Sequence, residues 1–281
     1  MFRIERVLQV YTWQTLALLS ACISCSDVEA VSKSDLSKEH IMGNIKSITE
    51  KEFEVDIENG EVTVIDSTKP RTTTIRFYNP EKYLDSVIEI SRMDPFKVPW
   101  DADGNNVELL KRFYLSNGNS IDSVFCNGEF FKTTLRISLG PNLIDESDFN
   151  VKRELLERRL IELDNSGNII SKSTFDEEGK TSDFQMKHSY SKVSKGVYVE
   201  NERHVYTITG ELYLKVQLKY SNYNQVIEKH GTYTSDQESG RFTFFYQYLD
   251  FDHFNNWTRS VSYYQSFNNP YRCVERIFDY Y

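Results

Sequence analysis

The chain has 281 residues, 39% of them hydrophobic and 14% aromatic, with 18 Tyr and 18 Phe. That composition sustains a folded core and excludes global disorder, while 6 Pro and 12 Gly exclude collagen-like and Pro-rich chains. A formal charge of −9 gives no bulk attraction to phosphate backbones, so nucleic acid is not an expected partner.

The first residues read as an address. Arg3 and Arg6 precede a modest apolar stretch over 7–21, too short and too polar for a membrane span and better suited to a secretory signal. Leu19-Ser20-Ala21-Cys22 resembles the lipobox of bacterial lipoproteins, in which the chain is cut before the Cys and the Cys is lipidated. Cys25 is a rival acceptor, because Ser26, Asp27 and Glu29 resemble the residues after the Cys in surface lipoproteins of the Bacteroides group. Cys22 is preferred, since Leu19 then holds the usual apolar position. The resulting division is a signal peptide over 1–21, a lipidated polar tether over 22–40 and a β domain over 41–281. The lipid implies a membrane partner and a bacterial outer-membrane location, on the surface or the periplasmic face.

The body alternates. Phe53, Val55 and Ile57 interleave with Glu54, Asp56 and Glu58, the period of a half-buried strand. Asn59-Gly60 suits a type I′ hairpin turn, and Val62 and Val64 return from it. Residues 72–78 form another strand. Asn79-Pro80-Glu81 fits either a helix start or a turn before a strand, and the turn is preferred. Over 152–163, Leu155, Leu156, Leu160 and Ile161 are also spaced for one short helix.

A strand–turn–strand phrase recurs. Its turns are Ser116-Asn117-Gly118-Asn119, Asp164-Asn165-Ser166-Gly167-Asn168, Asp176-Glu177-Glu178-Gly179-Lys180, Thr207-Ile208-Thr209-Gly210-Glu211, Ser221-Asn222-Tyr223-Asn224 and Phe254-Asn255-Asn256-Trp257. Asp or Asn caps the turn through its own backbone, and Gly or Asn accepts a positive φ. One such hairpin cannot bury its face alone, so copies must stack. The Asp-x-x-Gly-Asn turns, with Gly43-Asn44-Ile45-Lys46-Ser47-Ile48-Thr49-Glu50 and Asn256-Trp257-Thr258-Arg259, resemble the YD/RHS-like repeat lipoproteins of Bacteroides-type bacteria. The resemblance implies an extracytoplasmic, β-rich protein and no catalytic residues. The expected fold is mainly β: antiparallel strand–turn–strand units in an extended or curved meander sheet.

Chemistry is sparse. The five His lack zinc-helix spacing, no Cys-x-x-Cys lies in the body, and neither a Gly-x-Ser-x-Gly elbow nor a phosphate loop is present. Asp250, Asp252 and His253 form the densest ligand-like group, read as a capped turn. Asp101, Asp103 and Asn105 alternate as calcium ligands do but lack the later Glu of an EF-hand. Lys152, Arg153, Arg158 and Arg159 read as a solvated basic face. Cys126 and Cys273 are either a disulfide or free thiols. The expectation is therefore no enzyme, no cofactor and no metal. The chain reads as a structural or interaction protein of the envelope, with an envelope protein as partner. The alternative is a surface glycan-binding module using Tyr246, Tyr248, Trp257, Tyr263 and Tyr264, with Tyr271 beside them.

Overall fold

The computed structural model describes residues 41–58, 61–92, 105–115, 119–176, 178, 180–181, 185–194, 197–207, 209–223, 225–234 and 239–281. The signal, the tether, Cys22, Cys25, Asn59-Gly60 and residues 93–104 lie outside them.

The described strands are β1 (Ile45–Phe53), β2 (Val55–Glu58), β3 (Glu61–Val64), β4 (Thr72–Tyr78), β5 (Leu84–Arg92), β6 (Asn105–Tyr114), β7 (Ser120–Cys126), β8 (Glu129–Gly140) and β9 (Leu143–Asn150), then β10 (Leu155–Leu163), β11 (Ile169–Phe175), β12 (Gln185–Ser194), β13 (Val197–Tyr206), β14 (Leu212–Tyr220), β15 (Val226–Thr234), β16 (Ser239–Phe251), β17 (Trp257–Tyr264) and β18 (Pro270–Tyr280). β4 to β18 form a continuous antiparallel meander, and β1 pairs with both β4 and β18 to close it into a 16-stranded barrel. The mainly β reading is borne out, and the expected extended or curved sheet is corrected to a closed one. Ser47 to Phe53 of β1 run opposite Asp279 to Cys273 of β18. That pairing removes the two free edges an open meander would expose. The short helix is also corrected: 151–154 is a turn and β10 is a strand, because Leu160, Ile161 and their neighbours pair with both β9 and β11. The preferred turn at Asn79 is borne out, followed by β5.

The recurring turn has one chemistry. The residue at its head bonds its N–H to the carbonyl four positions on, as in Asn79–Tyr83, Asn150–Glu154, Asp164–Asn168, Asp176–Lys180, Thr207–Glu211, Ser221–Gln225 and Asp252–Asn256. Its side-chain oxygen accepts backbone N–H groups inside the turn, at 2.8 and 2.9 Å for Asp164 and 2.9 and 2.9 Å for Asp252. The fourth residue sits at positive φ: Lys82, Arg153, Gly167, Gly210 and Asn255. A turn that the sequence reading passed over, Asn127-Gly128 between β7 and β8, carries φ 49 and 82, the type I′ requirement.

Exposure distinguishes the two faces of the wall. Asp122, Glu146 and Asp148 lie on the concave face and are 6%, 7% and 3% exposed, whereas Phe131, Leu139 and Leu156, on the alternate positions, are 53%, 53% and 47% exposed. Two apolar clusters complete the structure. At the end where the chain enters, Ile41, Ile45, Ile48 and Tyr78 pack with Leu84, Phe278 and Tyr280. At the other end, the β2–β3 hairpin lies on the outer wall, its Val55, Val62 and Val64 covering Phe53, Val261, Tyr263 and Cys273. Burying each such side chain contributes about 1.5–3 kcal/mol.

Candidate functional site

The inner wall is polar on one side and aromatic on the other. Its polar part runs over β6 to β10, where alternation sends charged side chains inward. Arg112 donates to both oxygens of Asp122, at 2.7 and 2.6 Å. Lys132 and the Thr134 hydroxyl both donate to Asp148, at 2.7 and 2.6 Å. Arg136 pairs with Glu146. Arg159 reaches Glu146, Asp148 and Glu157 at 2.8, 2.7 and 2.9 Å. Burial works to raise the Glu146 and Asp148 carboxyls. Arg136 and Arg159 at the first, with Lys132 and Thr134 at the second, outweigh it and hold both below the usual carboxylate range. This side is charge-compensated.

Over β12 to β15 one carboxylate gathers several partners. Glu200 bonds His188 Nδ1 at 2.6 Å and accepts from Arg203 at 2.9 and 2.7 Å. Burial opposes its charge, but these bonds bring its pKa down to about 2. Burial, with Glu200 nearby, pushes the Tyr190 and Tyr220 phenols up to about 12. Lys229 stands beside this group. Burial and then the like charge of Arg203 push its pKa down, and among the described residues no carboxylate lies within ion-pair distance of it.

The aromatic side follows on β16 to β18. Phe244 meets Phe242, Tyr264 and Tyr271 at ring-centroid distances of 5.9, 5.2 and 5.3 Å. Deeper in, Tyr248 meets Trp257 at 5.5 Å, and the Arg276 guanidinium lies 3.7 Å from the Trp257 ring centre. Burial lifts the Tyr248 phenol to about 12, and its hydroxyl donates to the Val226 carbonyl at 2.9 Å. Two glycines make room. A Cβ on Gly231 would lie 1.9 Å from the Phe242 ring, and one on Gly240 would lie 2.6 Å from the Tyr233 ring. The rings therefore occupy the space of a missing side chain on the neighbouring strand. Tyr264, at the end of this strip, is 36% exposed.

No protein-family model matches this chain, and no curated protein matches it. Among solved structures it is similar to a porin-like protein from Bacteroides uniformis, at 12% identity and TM-score 0.41, over 84% of this chain and 96% of the other. It is also similar to a chain of the Photorhabdus luminescens Tc holotoxin pore, at 11% identity and TM-score 0.26, over 73% of this chain and 12% of the other.

Of the aromatic residues singled out in the sequence, Tyr246, Tyr248, Trp257 and Tyr264 come together on the inner wall. Tyr263 does not: it points outward, is buried under the β2–β3 hairpin, and donates to Gln247 at 2.9 Å. Tyr271 joins Phe244. Phe242 and Phe244 were missed as ligand contacts, although their positions four and two residues before Tyr246 put all three on one strand face. Asp252 caps its turn as expected. The basic cluster is divided: Arg158 turns outward to Asp145 at 2.7 Å, and Arg159 turns inward. Cys126 and Cys273 are free thiols, and Cys273 lies beneath the hairpin. Asp101 and Asp103 lie outside the described residues.

Proposed function

We propose that this chain is a lipid-tethered protein of the bacterial envelope whose barrel receives a carbohydrate in its lumen. One observation carries the reading: Phe242, Phe244, Tyr246, Tyr248, Trp257 and Tyr264 line the inner wall as one strip of half-buried rings, with Tyr264 36% exposed. Aromatic faces stack on the apolar faces of sugar rings, and the paired charges across the lumen offer partners to hydroxyls. The outer wall supports attachment by a tether at Cys22, or at Cys25, over insertion of the barrel. Glu202–Lys215, Glu228–Lys219 and Glu228–His230 pairs stand on it at 2.5, 3.4 and 2.7 Å, where a lipid-facing band would be apolar. The capped five-residue turns also support the likeness to YD/RHS-like repeats.

The test is a glycan array probed with the mature lipoprotein in detergent, alongside Tyr246→Ala. Binding of at least one sugar class, weakened in the variant, is expected; no binding across the array would overturn the carbohydrate reading. Palmitate labelling of Cys22→Ala tests the anchor, with loss of label expected. Label retained by Cys22→Ala and lost only with Cys25→Ala would move the anchor to Cys25. A protein partner on the outer wall is the second reading, and the exposed Phe131, Leu139, Leu156 and Ile169 favour it.

A further inference from the structure

Among the described residues, the inner wall between β13 and β16 carries a cation, Lys229, with no carboxylate within ion-pair distance. Glu200 spends both carboxylate oxygens on His188 and Arg203. Arg203 and Glu200 therefore cancel, and the wall beside them keeps the charge of Lys229. That contrasts with Arg112, Lys132, Arg136, Arg159, Arg272 and Arg276 of the same inner wall, each of which has a carboxylate within 4 Å. The Lys229 ammonium lies 5.9 Å from the centre of the Phe242 ring, which is seated over Gly231. Phe244, directly opposite Lys229 in the β15–β16 register, continues the platform toward Tyr264 and Tyr271.

An isolated ammonium in a half-buried wall is costly unless an anion meets it. Flat rings beside it select a ligand with an apolar face. Together these requirements describe a sugar ring that bears an acidic group. We propose that this part of the lumen is a subsite for an anionic sugar residue, with Lys229 meeting the acidic group and Phe242 and Phe244 stacking on the ring. The proposal rests on the carbohydrate reading above and names the substrate class within it.

Matched pairs of oligosaccharides separate the two claims. The mature lipoprotein is titrated calorimetrically with oligogalacturonate and its methyl ester, with oligoglucuronate and its carboxyl-reduced form, and with sialyllactose and lactose. In at least one pair the acidic member binds about tenfold more tightly, the worth of one charged hydrogen bond. Lys229→Gln abolishes that preference. Phe242→Leu weakens both members, and unchanged thermal melting shows that each variant is folded. Equal affinity for the two members of every pair, or a preference that survives Lys229→Gln, overturns the subsite while leaving the lumen reading intact. Failure of every sugar, acidic or neutral, overturns the lumen reading itself.

Discussion

Asn256 is a small side chain that ties distant parts of the chain together. It is buried, and its amide exchanges two hydrogen bonds with Met42, at 2.8 and 2.9 Å, in the manner of a strand partner. The same amide bonds Asp252 and the Tyr280 hydroxyl at 3.1 and 3.1 Å. Tyr280 in turn donates to Asp252, and burial together with that carboxylate pushes its phenol up to about 12. The chain thus enters the barrel under a clasp made by the β16–β17 turn. Gly43 permits this, because its φ is 99 and a Cβ there would lie 2.7 Å from Tyr280. We expect Asn256→Ala to cost roughly 1–3 kcal/mol by leaving the Met42 N–H without an acceptor. Hydrogen exchange should show the Met42 amide losing protection; retained protection would contradict the clasp. Gly231→Ala makes a second prediction at this scale. Overpacking against Phe242 should destabilise the protein by about 1–3 kcal/mol in urea unfolding. Most of that cost should vanish in a Phe242→Ala background, and an undiminished cost would show that the ring is not the obstacle.

At the scale of elements, charge and cover decide what each strand pair tolerates. The Glu200 carboxylate has a folded-state pKa of about 2, depressed from 4.5. Its contribution is therefore fully present above pH 4.5 and is lost as pH falls toward 2. Glu146 and Asp148 shift in the same direction and add to the trend. Thermal melts should show an acid-side loss of stability in that window. Glu200→Gln should be less stable than wild type by roughly 2–3 kcal/mol near neutral pH, and the two should converge near pH 2. A gap that is constant with pH would refute the ionic origin. The β2–β3 hairpin makes a separate prediction. It covers Cys273, and burial pushes that thiol's pKa up, so a thiol reagent should label Cys126 well before Cys273. Deleting 54–65 should bring Cys273 to a comparable rate, and continued protection of Cys273 in that deletion would show that the hairpin is not its cover.

Across the whole molecule, the sequence displayed its turns and strands more plainly than its closure. Asp164 and Asp252 announce their turns because a carboxylate two to four residues before free N–H groups has few other places to bond. Alternation at Phe53, Val55 and Ile57 likewise marks a pleated wall, although β2 leaves the barrel there to form its own hairpin. Closure depends on β1 meeting β18 across more than 200 residues, and no local pattern encodes that pairing. The division of aromatic residues between the faces was equally hidden. Tyr263 and Tyr264 are neighbours, so one must face out and the other in, and only the closed ring defines which is which. Trp257 reaches the lumen through register shifts between β16 and β17 that no spacing in the sequence foretells. The helical spacing of Leu155, Leu156, Leu160 and Ile161 was overridden by strand pairing on both sides.

The central claim, a closed barrel with a wet lumen that takes the ligand, is best tested by paired cysteine accessibility. Ser262→Cys would place a thiol on the inner wall beside Tyr246, and Ser189→Cys one on the outer wall, in a background with Cys25, Cys126 and Cys273 replaced by Ser. A small methanethiosulfonate should modify both positions, a bulky polyethylene-glycol maleimide only Ser189→Cys, and a bound sugar should shield Ser262→Cys alone. Equal reaction of both positions with the bulky reagent, or no reaction of Ser262→Cys with the small one, would contradict the open interior on which the functional reading rests.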